Sequence, residues 1–185
     1  VMELCDENLN ELLCKKQTGF SSDEIKNILL QLNKVFKVMN KNKISHRDLK
    51  LNNMLVKYKN SEKKEYRVLL CDYGESNQLL SQNFETHAGT KIYMAPEILQ
   101  GKPYTDKCDL WSLGINIYQM YFKDFPYKGR MDMELYNNIV SSGQSVLNNI
   151  RKEDSKLKNL LSKLLIIEEK ERIDWETYYK DPFFN

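Results

Sequence analysis

His46-Arg47-Asp48-Leu49-Lys50-Leu51-Asn52-Asn53 is the stretch on which the reading turns. It lies between two segments of different texture. Upstream, Ile25, Ile28, Leu29, Leu32, Val35, Phe36 and Met39 recur at helical spacing. Ser21, with Glu24 three residues on, forms a capping box in front of them. The spacing therefore predicts one long helix with a buried face. Downstream, Met54-Leu55-Val56 and Val68-Leu69-Leu70 are short apolar runs of strand length. Residues 57–66 between them carry mixed charge, with Glu62 and Glu65 interrupting the lysines, and read as a solvated hairpin loop. The eight quoted residues thus leave a helix and enter a strand pair.

Working outward, a shorter helix carrying Leu9, Leu12 and Leu13 is expected before the long one. Residues 74–96 are polar and irregular, with Gly74, Gly89 and Pro96 as punctuation. A connection that long inside a compact domain is seldom idle. Beyond it, Leu110, Trp111, Leu113, Gly114, Ile117, Tyr118, Met120 and Tyr121 are apolar nearly all round, the pattern of a fully buried helix. Further helices are expected near 132–141, 155–166 and 174–180. The expected fold is mostly α, with a small antiparallel strand pair beside a long loop.

Composition bounds the function. The chain has 185 residues, 41% hydrophobic and 29% charged, the balance of an ordinary soluble domain. That length favours one domain with one core. Lys+Arg is 28 and Asp+Glu is 26, so 28 − 26 gives +2. A dedicated nucleic-acid or membrane-surface binder would need a clear basic excess. No run of eighteen apolar residues offers a membrane span, and the first residues lack the pattern of a signal peptide. The four cysteines, at 5, 14, 71 and 108, contain no CxxC pair, and two histidines add little to a metal set. Zinc and a disulfide framework are not expected; four reduced thiols in a cytoplasmic or nuclear protein are.

Two further motifs follow in order. Asp72-Tyr73-Gly74 comes after the second strand, and Ala95-Pro96-Glu97 closes the long loop. Together with the HRDLKxxN pattern of residues 46–53, they give the chain its resemblance to the larger, C-terminal lobe of a eukaryotic protein kinase. Lys50, and Thr90 in Gly89-Thr90-Lys91-Ile92-Tyr93, point to the serine/threonine type. The resemblance implies an α+β family fold. Residues 1–185 would be a partial protein kinase domain made of the hinge and the C-terminal lobe, with small β-hairpins and the N-terminal β lobe absent. It implies transfer of the γ-phosphate of ATP, with Mg²⁺ (or Mn²⁺), to Ser or Thr of protein substrates.

The resemblance also implies roles. Asp48 would orient the acceptor hydroxyl and take its proton, and Lys50 would offset charge on the transferring phosphate. Asn53 and Asp72 would supply hard oxygen ligands to Mg²⁺. Leu55 would lie under adenine, Cys71 would form a small wall of the nucleotide site, and Met2, Glu3, Leu4 and Cys5 would form the hinge. Arg47 would meet a phosphate on Thr86, although Asn77 falls where a second basic residue often helps. Thr90 would bond to Asp48 and Lys50. His46 and Tyr73 would stack in an internal spine, Asp109 would hold the loop backbone, and Glu97 with Arg172 would form a buried ion pair.

Departures set further expectations. No GxGxxG is present, nor a strand Lys with its helix Glu, so the resemblance implies a fragment whose N-terminal lobe lies upstream as its partner. Such a lobe would be inactive or weak alone, and its exposed face around Leu55 and Tyr73 would favour association. The competing reading is a truncated lobe acting as a non-catalytic interaction module. Asn52 and Gln119 are neutral where basophilic kinases carry acids, so no strong demand for Arg two residues before the target is expected.

Overall fold

A computed structural model of the chain describes residues 3–60, 62, 65–72 and 91–185. The capping box at Ser21 starts α2 (Ser22–Lys41): Ser21 Oγ accepts from the Glu24 amide and Glu24 returns a bond to the Ser21 amide. Its periodic residues Ile25, Ile28, Leu29, Leu32, Phe36 and Met39 are buried, as the spacing requires. The shorter helix before it is α1 (Leu9–Lys15), and it too opens with a capping box, between Asn8 and Glu11. Leu9 and Leu13 anchor it in the core.

Three strands form one antiparallel sheet in the order β1-β2-β3. The central β2 (Met54–Tyr58) pairs with β3 (Tyr66–Leu70) from Met54↔Leu70 to Tyr58↔Tyr66. Both strands run two residues further into the charged stretch than the apolar runs indicate. The rings of Tyr58 and Tyr66 meet edge to face at 6.2 Å across the last pair, and cross-strand contacts of that kind extend a ladder beyond its apolar part. The third strand, β1 (Glu7–Asn8), was not foreseen; two residues carry no readable period, and its pairing to Val56 and Leu55 is tertiary.

After residue 90 the chain is helical. α3 (Pro96–Leu99) leads to α4 (Lys107–Phe122), then α5 (Asp132–Ser142), α6 (Ser155–Leu164) and α7 (Trp175–Tyr179). Helix α4 is the central post. Leu110, Trp111, Leu113, Ile115, Ile117 and Met120 are all buried around it. It meets α6 closely at Gly114, where a Cβ would lie 2.8 Å from Leu165 Cδ2 and 3.1 Å from Leu164 Cβ. The absent side chain is what permits that approach. The result is a mostly helical lobe with a small antiparallel sheet, and residues 46–53 sit where α2, the sheet and the start of α4 converge.

Candidate functional site

Residues 46–53 are shaped from below by one carboxylate. Asp109, in the first turn of α4, is buried; its Oδ2 accepts from the His46 amide at 2.7 Å and its Oδ1 from the Arg47 amide at 2.8 Å. Arg47 has φ +68°, a left-handed conformation that costs a non-glycine residue about 1–3 kcal/mol unless its surroundings hold it. The two amide bonds to Asp109 are such a hold. Burial pushes the Asp109 carboxyl up to about 6, against the lowering effect of the two amides.

His46 ties the loop to the end of β3. Its ring is fully buried, and Nε2 donates to the Cys71 carbonyl at 3.0 Å while Nδ1 accepts from the Asp48 amide at 3.4 Å. Burial holds the imidazole below its usual value, against the raising effect of the Cys71 carbonyl and of the Asp48 and Asp72 carboxylates. The Cys71 amide in turn donates to the Asn53 carbonyl at 2.9 Å. Both ends of the Cys71 peptide are therefore fastened to the loop. Asp72 follows directly, itself in a left-handed conformation at φ +63°.

The polar groups converge on Asp48. Lys50 Nζ lies 2.6 Å from Asp48 Oδ2. Asn53 Nδ2 donates to the same oxygen at 2.9 Å and to the Asp48 carbonyl at 2.9 Å. Asp48 Oδ1 is buried and has no hydrogen-bond partner among the described residues. A buried acceptor left open in this way is uncommon enough to mark a place where a donor is received. With the Asn53 amide nitrogen turned to Asp48, its oxygen is the end left to accept or to ligate.

A residue that sequence reasoning missed also shapes the loop. Asn116 of α4 is fully buried and donates to the Leu49 carbonyl at 2.9 Å. The available signal was a side-chain amide within an otherwise apolar helix. Ser112, one turn earlier, donates to the Tyr93 carbonyl at 2.8 Å. Gln119, neutral where basophilic kinases carry an acid, is buried, and its oxygen accepts from the Tyr93 hydroxyl at 2.9 Å; Asn52 is exposed.

Glu97 and Arg172 meet in a two-pronged pair at 2.7 and 2.9 Å, both buried. The guanidinium also donates to the carbonyls of Ile166, Lys107 and Ile167, and it stacks over Trp111 at 5.2 Å. Arg47 lies over the Tyr104 ring at 5.8 Å, and its Nε is buried without a hydrogen-bond partner among the described residues. Glu3, Leu4, Cys5 and Leu55 share the lining of an open cavity of about 420 Å³. Leu4 is 84% exposed and Leu55 is half-buried. Cys71 is also half-buried; burial and the nearby Asp72 and Cys5 raise its thiol. Met2, Tyr73, Gly74, Asn77, Thr86 and Thr90 lie outside the described residues. Among the described residues, no three of His, Cys, Asp or Glu converge as a metal cluster, and no helix is long and apolar enough to cross a membrane.

Comparison with known proteins gives a consistent picture. The sequence matches the family model described as "Protein kinase domain" over residues 1–184. It is 30% identical over 187 residues to serine/threonine-protein kinase ATG1b of Arabidopsis thaliana, covering 100% of this chain and 26% of that protein. Calcium-dependent protein kinase 6 of Plasmodium berghei is 37% identical over 147 residues, covering 77% of this chain and 9% of that protein. Human serine/threonine-protein kinase ULK1 is 30% identical over 191 residues, covering 100% of this chain and 18% of that protein. The chain thus spans about a quarter or less of the length of these relatives.

Proposed function

The chain belongs to the protein kinase family, serine/threonine type, and on that premise we propose that it carries phosphoryl transfer from ATP to Ser or Thr hydroxyls of protein substrates. The observation that supports this most is the state of Asp48. One of its oxygens is held by Lys50 and Asn53, and the other is buried and open. An incoming hydroxyl bonded to that open oxygen would be aimed and would have its proton acceptor in place. Lys50, beside the same carboxylate, is near enough to shift onto a phosphate oxygen and offset its charge.

Asn53 and Asp72 would hold Mg²⁺, or Mn²⁺ in its place. The donors fit: one amide oxygen left free by the bond to Asp48 and one carboxylate, both hard oxygens. When bound, the ion neutralises phosphate charge and shares its shell with phosphate and water. Glu3, Leu4, Cys5, Leu55 and Cys71, with Met2, would surround the base of the nucleotide. His46, Asp109, Glu97 and Arg172 act as positioning groups. Arg47 is the candidate partner for a phosphate on Thr86, and Thr90 for a bond to Asp48 and Lys50.

The test is transfer of labelled phosphate from ATP to a mixture of Ser- and Thr-containing peptides, by the polypeptide as the cell makes it. Asp48→Asn is expected to lower kcat by about 10²–10⁴-fold, the usual worth of a positioned acid or base, while nucleotide binding persists. Full activity in Asp48→Asn would overturn the assignment. No Mg²⁺-dependent transfer by the native polypeptide, with retained binding to proteins, would favour the interaction-module reading instead.

A further inference from the structure

We propose that the solvent face of α2 is a docking surface for an acidic, partly apolar helix of a partner protein. Lys34, Lys37 and Lys41 follow at steps of three and four residues, so they stand in one line along the helix. Leu30 opens that line, Val38 flanks it, and Ile44 lies just beyond its end. These three apolar side chains are exposed by 41%, 61% and 40%. The five helical residues fall within about 100° of the helix circumference. The opposite face, with Ile28, Leu32 and Phe36, is in the core.

The charge on this face is not balanced locally. All three lysines are exposed, and none is in an ion pair among the described residues. Lys37 instead rests over the Tyr179 ring at 5.1 Å. Asp23 is the acid that shares this face, and it lies about 16 Å away along the axis from Lys34. A helix face that serves only to be solvated gains by placing acids three or four residues from its lysines. Here the neighbours at those steps are other lysines, an arrangement that repels within the free helix. The whole chain carries +2, so this concentration is local.

The mixture of groups identifies the occupant. A helix laid along α2 with carboxylates three and four residues apart would meet the lysine line, and its Leu or Met side chains would cover Leu30 and Val38. A nucleic acid would use the lysines and leave the apolar groups exposed. A membrane-surface helix turns its larger apolar side chains outward, whereas α2 turns them inward. The proposal concerns the solvent face of α2 and does not depend on phosphoryl transfer.

The experiment uses a fluorescein-labelled, alanine-rich helical peptide with Glu at positions i, i+3 and i+7 and Leu between them. Its binding to the native polypeptide is followed by anisotropy. Binding is expected to weaken tenfold or more in the triple variant Lys34→Glu/Lys37→Glu/Lys41→Glu, to weaken in Val38→Asp, and to fall with rising salt. Circular dichroism and phosphotransfer activity unchanged in both variants would show that the lobe is intact. The proposal is overturned if the acidic peptide does not bind, if a Gln-for-Glu control peptide binds equally well, or if charge reversal leaves affinity unchanged. Retention on phosphatidylserine vesicles, lost in the triple variant, without peptide binding would also overturn it and assign the face to a membrane.

Discussion

Glu97 and Asp109 are both buried carboxylates, twelve residues apart in sequence, and they are satisfied in different ways. Glu97 faces a full countercharge, with two prongs to Arg172 that is itself bonded to three carbonyls and stacked on Trp111. Asp109 has no cation within hydrogen-bonding distance among the described residues; it is held by two backbone amides. A charge met by a charge makes a lock between segments. A charge met by amides shapes one short loop, and burial leaves its proton affinity raised to about 6. The Glu97–Arg172 pair thus serves cohesion of the lobe, and Asp109 serves the conformation of residues 46–53.

The sharpest break of that comparison is Arg172→Ala. It would leave Glu97 charged, buried and alone, a loss of about 3–5 kcal/mol. The expected result is a polypeptide that fails to fold or has a much lower urea midpoint. A midpoint within error of the native one would mean the pair is not a lock. Asp109→Asn comes next. The amide can accept one of the two backbone bonds but turns a donor toward the other, at about 1–3 kcal/mol. Phosphotransfer should fall by more than the lost folded fraction explains, because the loop at Arg47 is released. Equal losses in kcat and folded fraction would reduce Asp109 to a cohesion role.

Proton linkage gives Asp109 a pH signature of its own. The folded value of Asp109, about 6, is above the ordinary 3.8, so the native state binds this proton more tightly than the unfolded chain does. Acidification from pH 7 through about 6 toward 4 therefore adds stability through this group. The stability gap between the native protein and Asp109→Asn should widen over that window, measured as urea midpoints at pH 7 and 4.5. His46 works the other way: its folded value lies below 6.5, so acidification through 6.5 protonates the unfolded chain first and removes stability.

Smaller effects close the series. Asn116→Ala removes the donor to the Leu49 carbonyl and leaves that acceptor unbonded, for about 1–3 kcal/mol; a denaturation midpoint shift below that range would mean water replaces the bond. Lys180→Ala breaks an ion pair to Glu176 in which both side chains are largely exposed. No measurable change in midpoint is expected there, which sets the exposed pair against the buried one.

Much of this was legible because the residues concerned are adjacent in sequence. Residues 46–53 carry His46, Lys50 and Asn53 around Asp48 within eight positions, and the helix before them announces itself by spacing and by the Ser21–Glu24 box. The helices near 132–141 and 155–166 were legible in the same way, with α6 stopping two residues early at Leu164. What periodicity could not give is pairing over distance. Glu97 and Arg172 are 75 residues apart, and their pairing came from a resemblance, not from spacing. The two-residue strand β1 and the Asn116 bond to Leu49 depend on what the fold brings near, which no local pattern encodes.

Cys71 contributes to the site through its peptide. Its amide holds the Asn53 carbonyl and its carbonyl receives the His46 ring, while its thiol takes no part in either bond. The positions from which Asn53 and Asp72 start are thus set by main chain. Position 71 is therefore free to change its side chain over evolutionary time, within the room a half-buried site allows, without moving Asn53 or Asp72. Homologues are expected to vary in chemistry at this position while keeping the same backbone strut.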